Sequence, residues 1–120
     1  MSPQKTILIL LRSCPYGMAT AAEGYRVIIG LAGMGLRIHA VLLEDGVLVA
    51  LKGQNPSGLG MHELSQVFAK LTEFGADLYV HTPSVTERGL SEAGFIDSNL
   101  IDDEELKDLI TSADHVITFN

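Results

Sequence analysis

A single cysteine, Cys14, stands among 120 residues. One thiol excludes an intrachain disulfide framework and a structural cysteine-zinc site, and it suits a reducing compartment. Basic residues are scarce: 8 Lys and Arg against 15 Asp and Glu give a formal net charge of −7. An acidic chain offers no general basic face to a phosphate backbone, so no direct nucleic-acid binding is expected. No apolar run reaches the roughly 20 residues that a membrane span needs, so no membrane partner is expected. The histidines His39, His62, His81 and His115 share no ligand spacing, and no metal site is expected from them. No cleavage-site pattern follows Lys5, which argues against a signal peptide and for a cytoplasmic location. Repeats, linkers and low-complexity segments are missing too, and the length fits one domain over residues 1–120.

What the chain has is apolar content: 47% hydrophobic residues and a mean hydropathy of +0.26. That is high for a small monomer, so partners are expected to cover part of its surface. The organising stretch runs from Thr6 to Met34. Thr6-Ile-Leu-Ile-Leu-Leu11 is a nearly unbroken apolar run, the pattern of a strand covered on both faces. Arg12 to Gly17 breaks it, with Pro15 fixing φ and Gly17 free to turn. An Ala-rich helix follows from Met18 to Met34. Only Glu23 and Arg26 are charged in it, so most of its surface is expected to be buried, by the sheet or by another subunit.

Further along, Leu36 to Leu43 reads as a second strand. Arg37 and His39 alternate with Leu36, Ile38 and Ala40, which suggests a partly exposed face and an edge position. Val47 to Lys52 reads as one or two helical turns, and Met61 to Phe74 as a helix closed by Gly75. Leu78 to His81 is the third strand. Thr82 reads as the N-cap of a short helix with Pro83 at its first position. Leu100-Ile101 is a brief fourth strand, and Asp102 caps a helix from Asp103 to Ser112. His115 to Phe119 is the last strand. Strands separated by helices imply a three-layer α/β/α sandwich, flavodoxin-like in outline, on a mostly parallel sheet of about five strands.

The loop after the first strand sits at the carboxyl edge of the sheet, where open α/β folds bind ligands. Cys14 lies in it. A following helix end and nearby Arg12 both favour a thiolate, hence a nucleophile. The plainer reading is a small side chain filling a turn. His81 ends the third strand on the same edge, and a Cys14–His81 pair would be an activated nucleophile. Its plainer reading is a polar side chain hydrogen-bonded at a strand end. Gly33-Met-Gly35 closes a helix and is no dinucleotide loop. Arg12 to Met18 precedes a helix but lacks the Gly, Ser and Thr density of a phosphate loop. Asp102 to Glu105 reads as a solvated helix start. No cofactor is called for.

Three segments carry a resemblance. Pro15-Tyr16-Gly17 follows the first strand and leads to Glu23-Gly24. Asp45-Gly46-Val47 is followed by Leu51-Lys52-Gly53-Gln54. Glu87-Arg88-Gly89-Leu90 follows the third strand, and the chain closes on Asp114-His-Val-Ile-Thr-Phe119. Together and in this order they resemble the DsrE/DsrF-like sulfur-relay family, of the TusC/DsrF type. The resemblance implies an α/β/α fold and cytoplasmic sulfur transfer. It also implies trimers or hexamers, either of one chain or with DsrE-type and DsrH-type subunits. Carrier subunits of the family hold a persulfide on a cysteine eight positions before the Arg-Gly glycine. Counted back from Gly89, that position is His81, which points to an assembly role without independent catalysis. A thiol carrier using Cys14 and a small-ligand module at the strand-end cleft are the alternatives. Arg12, Pro15, Tyr16, Gly17, Asp45, Gly53, Gln54 and Arg88 are expected at the cleft or at a subunit contact.

Overall fold

The computed structural model describes residues 4–12, 20–50, 68, 70–90 and 98–119, without the side chains of 20–22. The run Thr6–Leu11 forms strand β1, and both of its faces are covered. Ile7, Ile9 and Leu11 enter one core cluster with Ile28 of helix α1 (Thr20–Gly33). Leu8 enters a second cluster with Val41 and Ile101 on the opposite face. The period of two in a strand sends alternate side chains to alternate faces, so an apolar residue is needed at every position. Each fully buried Leu or Ile contributes roughly 1.5–3 kcal/mol.

Strands β2 (Arg37–Leu42), β3 (Ala76–His81), β4 (Asn99–Ile101) and β5 (His115–Phe119) complete one sheet in the order β4-β3-β2-β1-β5. Every pairing is parallel. The chain steps from β1 outward to β4, then crosses back to add β5 on the other side of β1. Helix α1 packs on one face with the 3-10 helices Glu44–Ala50 and Leu71–Phe74. Helix α3 (Asp103–Ser112) covers the other face through Leu106 and Leu109. The expected α/β layering and parallel sheet are therefore present. Helix α2 (Thr82–Glu87) stands at the carboxyl edge.

Several local expectations change. β2 is not an edge strand: it lies between β1 and β3. Its polar residues mark a face, not an edge. His39 meets Tyr79 edge-on, with ring centroids 5.4 Å apart, and lies 3.3 Å from Asp77 on β3. Within the single chain the sheet covers only part of helix α1. Among its described side-chain positions only Gly24 and Ile28 are fully covered, and several apolar neighbours are half-buried. The helical segment expected at Val47 starts earlier, at Glu44. Of the expected helix at 61–74, residues 61–67 and 69 lie outside the described residues, and 71–74 form a 3-10 turn closed by Gly75 at φ 86°. Thr82 is no cap: His81 holds that position, and the Thr82 hydroxyl donates to Ile101 O at 3.0 Å. The reading of Asp102 holds. Its carboxylate accepts from Glu105 N–H at 2.9 Å, and Glu105 accepts from Asp102 N–H at 3.3 Å, a reciprocal capping box.

Candidate functional site

The carboxyl ends of β1, β2 and β3 lie side by side, next to the reversal of the chain between β1 and β5, on the usual ligand edge of an open α/β fold. Leu11, the last residue of β1, is gripped from two sides. A Cβ on Gly24 would sit 2.5 Å from Leu11 Cδ2, and one on Gly46 would sit 1.9 Å from Leu11 O. The backbone contact requires glycine at Gly46, whereas the neighbour of Gly24 is a side-chain methyl that can shift. This accounts physically for the glycine of Asp45-Gly46. Leu11 O accepts from Leu43 N–H at 3.1 Å, which draws the exit of β2 alongside.

Glu44 follows in a left-handed conformation, φ 53°. Such a conformation is uncommon outside glycine and persists where the surroundings fix it. Two contacts do so. Glu44 N–H donates to Ser84 Oγ at 2.8 Å, and its carboxylate is paired with the Arg12 guanidinium, Nη2 lying 3.2 Å from Oε1. The Arg12 bond holds the Glu44 carboxyl below its ordinary pKa and raises that of Arg12.

Ser84 is buried in the first turn of α2 and links this corner to His81. Its Oγ lies 2.6 Å from His81 Nδ1, and His81 Nε2 lies 2.7 Å from Asp103 Oδ1 at the start of α3. An ionised carboxylate only accepts, so Nε2 carries a proton. In the neutral ring Nδ1 is then bare and accepts the Ser84 O–H, whose oxygen in turn accepts from Glu44 N–H. Serine, histidine and aspartate in contact invite comparison with a hydrolase triad. Here, however, Ser84 is 3% exposed and its hydroxyl is already bonded on both sides. It orients the ring and is not placed to attack.

A cleft of about 450 Å³ opens beside this chain of contacts, lined by Arg12, Glu44, His81, Ser84 and Asp103 with Leu10, Leu43 and Leu106. Arg88 stands at the margin. Its guanidinium donates to Asp45 Oδ1 at 3.1 Å and to Ser84 O at 3.3 Å. Of the residues singled out in the sequence, Arg12, Asp45, His81 and Arg88 thus fall at one edge. Val47, Val49 and Ala50 are buried in the chain's own core, with Leu48 half-buried. Cys14, Pro15, Tyr16, Gly17, Gly53 and Gln54 lie outside the described residues. Sequence reasoning missed Glu44, Ser84 and Asp103. Only the His-x-x-Ser spacing across a strand-to-helix turn signalled any of them.

The parallel sheet, its reversal beside β1 and its polar strand-end cleft define a doubly wound α/β protein with a cleft at the β1–β3 carboxyl ends. The DsrE/DsrF-like family model matches residues 5–119, and the chain belongs to that family. A Pseudomonas aeruginosa protein named TusC homolog is 32% identical over 116 residues, covering 95% of this chain and 98% of its own. The intracellular sulfur oxidation protein DsrF of Allochromatium vinosum is 25% identical, covering 96% of each. The crystal structure of the ychN protein from E. coli superposes with a TM-score of 0.82 at 28% identity, over 98% of this chain and 100% of that one. None of the described helices is long and apolar enough to cross a membrane.

Proposed function

We propose that this chain is a non-carrier subunit of a cytoplasmic sulfur-relay assembly, working as an oligomer of its own copies or with DsrE-type and DsrH-type subunits. Its family and its likeness to proteins named TusC homolog and DsrF support the sulfur-relay part. The observation that carries the non-carrier part is His81. By the family resemblance it stands for the carrier cysteine, counted eight positions before Gly89, and both its ring nitrogens are engaged, by Ser84 and Asp103. An imidazole has no sulfur on which to store a persulfide. Clamped in this way, the ring serves as a strut between β3, the Glu44 corner and α3.

The test is sulfur loading. The purified chain is incubated with a cysteine desulfurase and labelled cysteine, alone and with candidate carrier subunits, and products are resolved by non-reducing mass spectrometry. The expected result is label on the carrier subunit and none on this chain, together with co-purification of the two. A persulfide on Cys14 that passes to an acceptor, and is lost in Cys14→Ser, would overturn the reading in favour of a Cys14 carrier. The cleft beside His81 favours a second reading, since about 450 Å³ is the size of a small-molecule site. Saturable binding of a small metabolite, abolished by Arg12→Ala, would support it.

A further inference from the structure

The two edges of the sheet are protected to very different degrees. A sheet edge invites pairing with another chain unless it is short, charged, proline-bearing or bulged. β4, at one edge, has three residues. β5, at the other, has five in unbroken register with β1, and His115-Val-Ile-Thr-Phe119 contains no Lys, Arg, Asp, Glu or Pro. Residues 115–118 are exposed, Val116 at 43% and Ile117 at 36%. Flanking Asp114 lies outside the strand, and its carboxylate accepts Thr6 N–H at 2.7 Å. Among the described residues no strand pairs with the outer side of β5.

Hydrogen-bond parity fixes what that edge can accept. Arg12 N–H donates to Phe119 O at 2.9 Å. The alternation of a parallel ladder then directs the backbone groups of residues 115, 117 and 119 toward β1 and those of Val116 and Thr118 outward. A second strand of the same sequence, antiparallel about a two-fold axis through Ile117, sets Val116 opposite Thr118 of the copy, and Thr118 opposite its Val116. Those are the two outward-facing positions, so both pairs form N–H···O bonds in each direction. Ile117 faces its own copy at the closer, non-hydrogen-bonded position. Side chains match as well: Val against Thr on one face, Phe against His on the other, with no like charges opposed. Self-complementarity of this kind is what a two-fold interface requires.

We infer that β5 pairs antiparallel with β5 of a second copy of this chain, joining two sheets into one continuous sheet through Val116 and Thr118. The inference stands on the edge geometry alone and holds whatever reaction the strand-end cleft serves.

The test uses the full chain with Cys14→Ser. Ile117→Cys places two sulfurs at a non-hydrogen-bonded pair, whose Cα atoms lie about 4.5 Å apart, within disulfide reach. Mild oxidation at micromolar concentration is expected to give a disulfide dimer at least tenfold faster than the control Met34→Cys, whose side chain is exposed and outside every strand. Adding Val116→Pro removes an outward N–H and leaves the β1 ladder intact. It is expected to cut that rate at least tenfold while circular dichroism stays unchanged. Ile117→Lys, which opposes two cations at the axis, is an independent check by sedimentation and is expected to weaken self-association at least tenfold. Cross-linking no faster than the Met34 control, or an assembly size indifferent to Ile117→Lys, would overturn the pairing. So would an edge in the isolated chain that pairs only with an unlike subunit.

Discussion

His81 Nε2 lies 2.7 Å from Asp103 Oδ1, tying the last residue of β3 to the first residue of α3. Adjacent acids divide the work there. Asp102 closes the capping box with Glu105, which leaves Asp103 to face the imidazole. The two carboxylates differ in what removal should cost. Asp102→Ala is expected to destabilise the fold by about 1 kcal/mol through loss of the cap. Asp103→Asn keeps hydrogen-bonding capacity on a side chain that is 80% exposed, and is expected to cost under about 0.5 kcal/mol. Urea denaturation of the two variants checks the order, and a larger loss from Asp103→Asn would contradict it.

Ser84→Ala should be the more damaging change at the site. It strands Glu44 N–H and His81 Nδ1 together in a nearly closed corner. A buried group left unpaired costs roughly 1–3 kcal/mol. Thermal and chemical denaturation are expected to show a loss in that range, and a change below about 0.5 kcal/mol would mean that solvent replaces the hydroxyl.

Two glycines with opposite surroundings make a paired experiment. Gly46→Ala puts a methyl group 1.9 Å from Leu11 O, which is backbone and has no room to yield cheaply. Loss of more than about 2 kcal/mol, or failure to fold, is expected. Gly30→Ala sits in α1 with nothing within 4 Å of the new Cβ. It is expected to stabilise by roughly 0.5–1 kcal/mol, since glycine in a helix interior is unfavourable. Equal effects from the two would refute the close approach at Leu11.

His39 gives a stability change with a defined sign. Burial lowers its pKa, against a smaller opposing pull from Asp77, with Arg37 adding to the lowering. The folded ring therefore binds a proton less readily than the unfolded one. The resulting stability is complete above the unfolded value of about 6.5 and is lost as pH falls through the lower folded value. The denaturation midpoint is expected to drop between about pH 7.5 and pH 5.5, and His39→Gln should shrink that drop. An unchanged drop in the variant would assign it to other groups.

Much of the fold was legible because it rests on local rules. β1 needed apolar residues on both faces, and it reads as an unbroken apolar run. Asp102 with Glu105 is a cap that sequence spacing alone displays. Gly75 ends its turn at positive φ, as expected from its position. The misplacement of β2 has an equally local origin, because alternation at Arg37 and His39 reports which face is wet and says nothing about neighbours. Thr82 had the right chemistry for a cap, but its hydroxyl was taken by Ile101 O across the sheet edge. The site was harder. His81 could be placed on the correct edge, whereas its partners depend on contacts across the fold. Asp103 is 22 residues away, and Glu44 meets Ser84 across 40. No periodicity encodes such meetings.

The sheet order also governs how the chain comes together in time. β1 is first in sequence, yet its neighbour β5 is the latest of the five strands, and Thr6 meets Asp114 across 108 residues. During synthesis β1 can pair with β2 and β3 while its other edge waits for residues 115–119. Such distant closure is slow, and the open edge is exposed meanwhile. The most apolar strand of the molecule thus spends the longest interval half-paired. Conditions that lengthen this interval should favour aggregation of nascent chains over any defect in the finished fold.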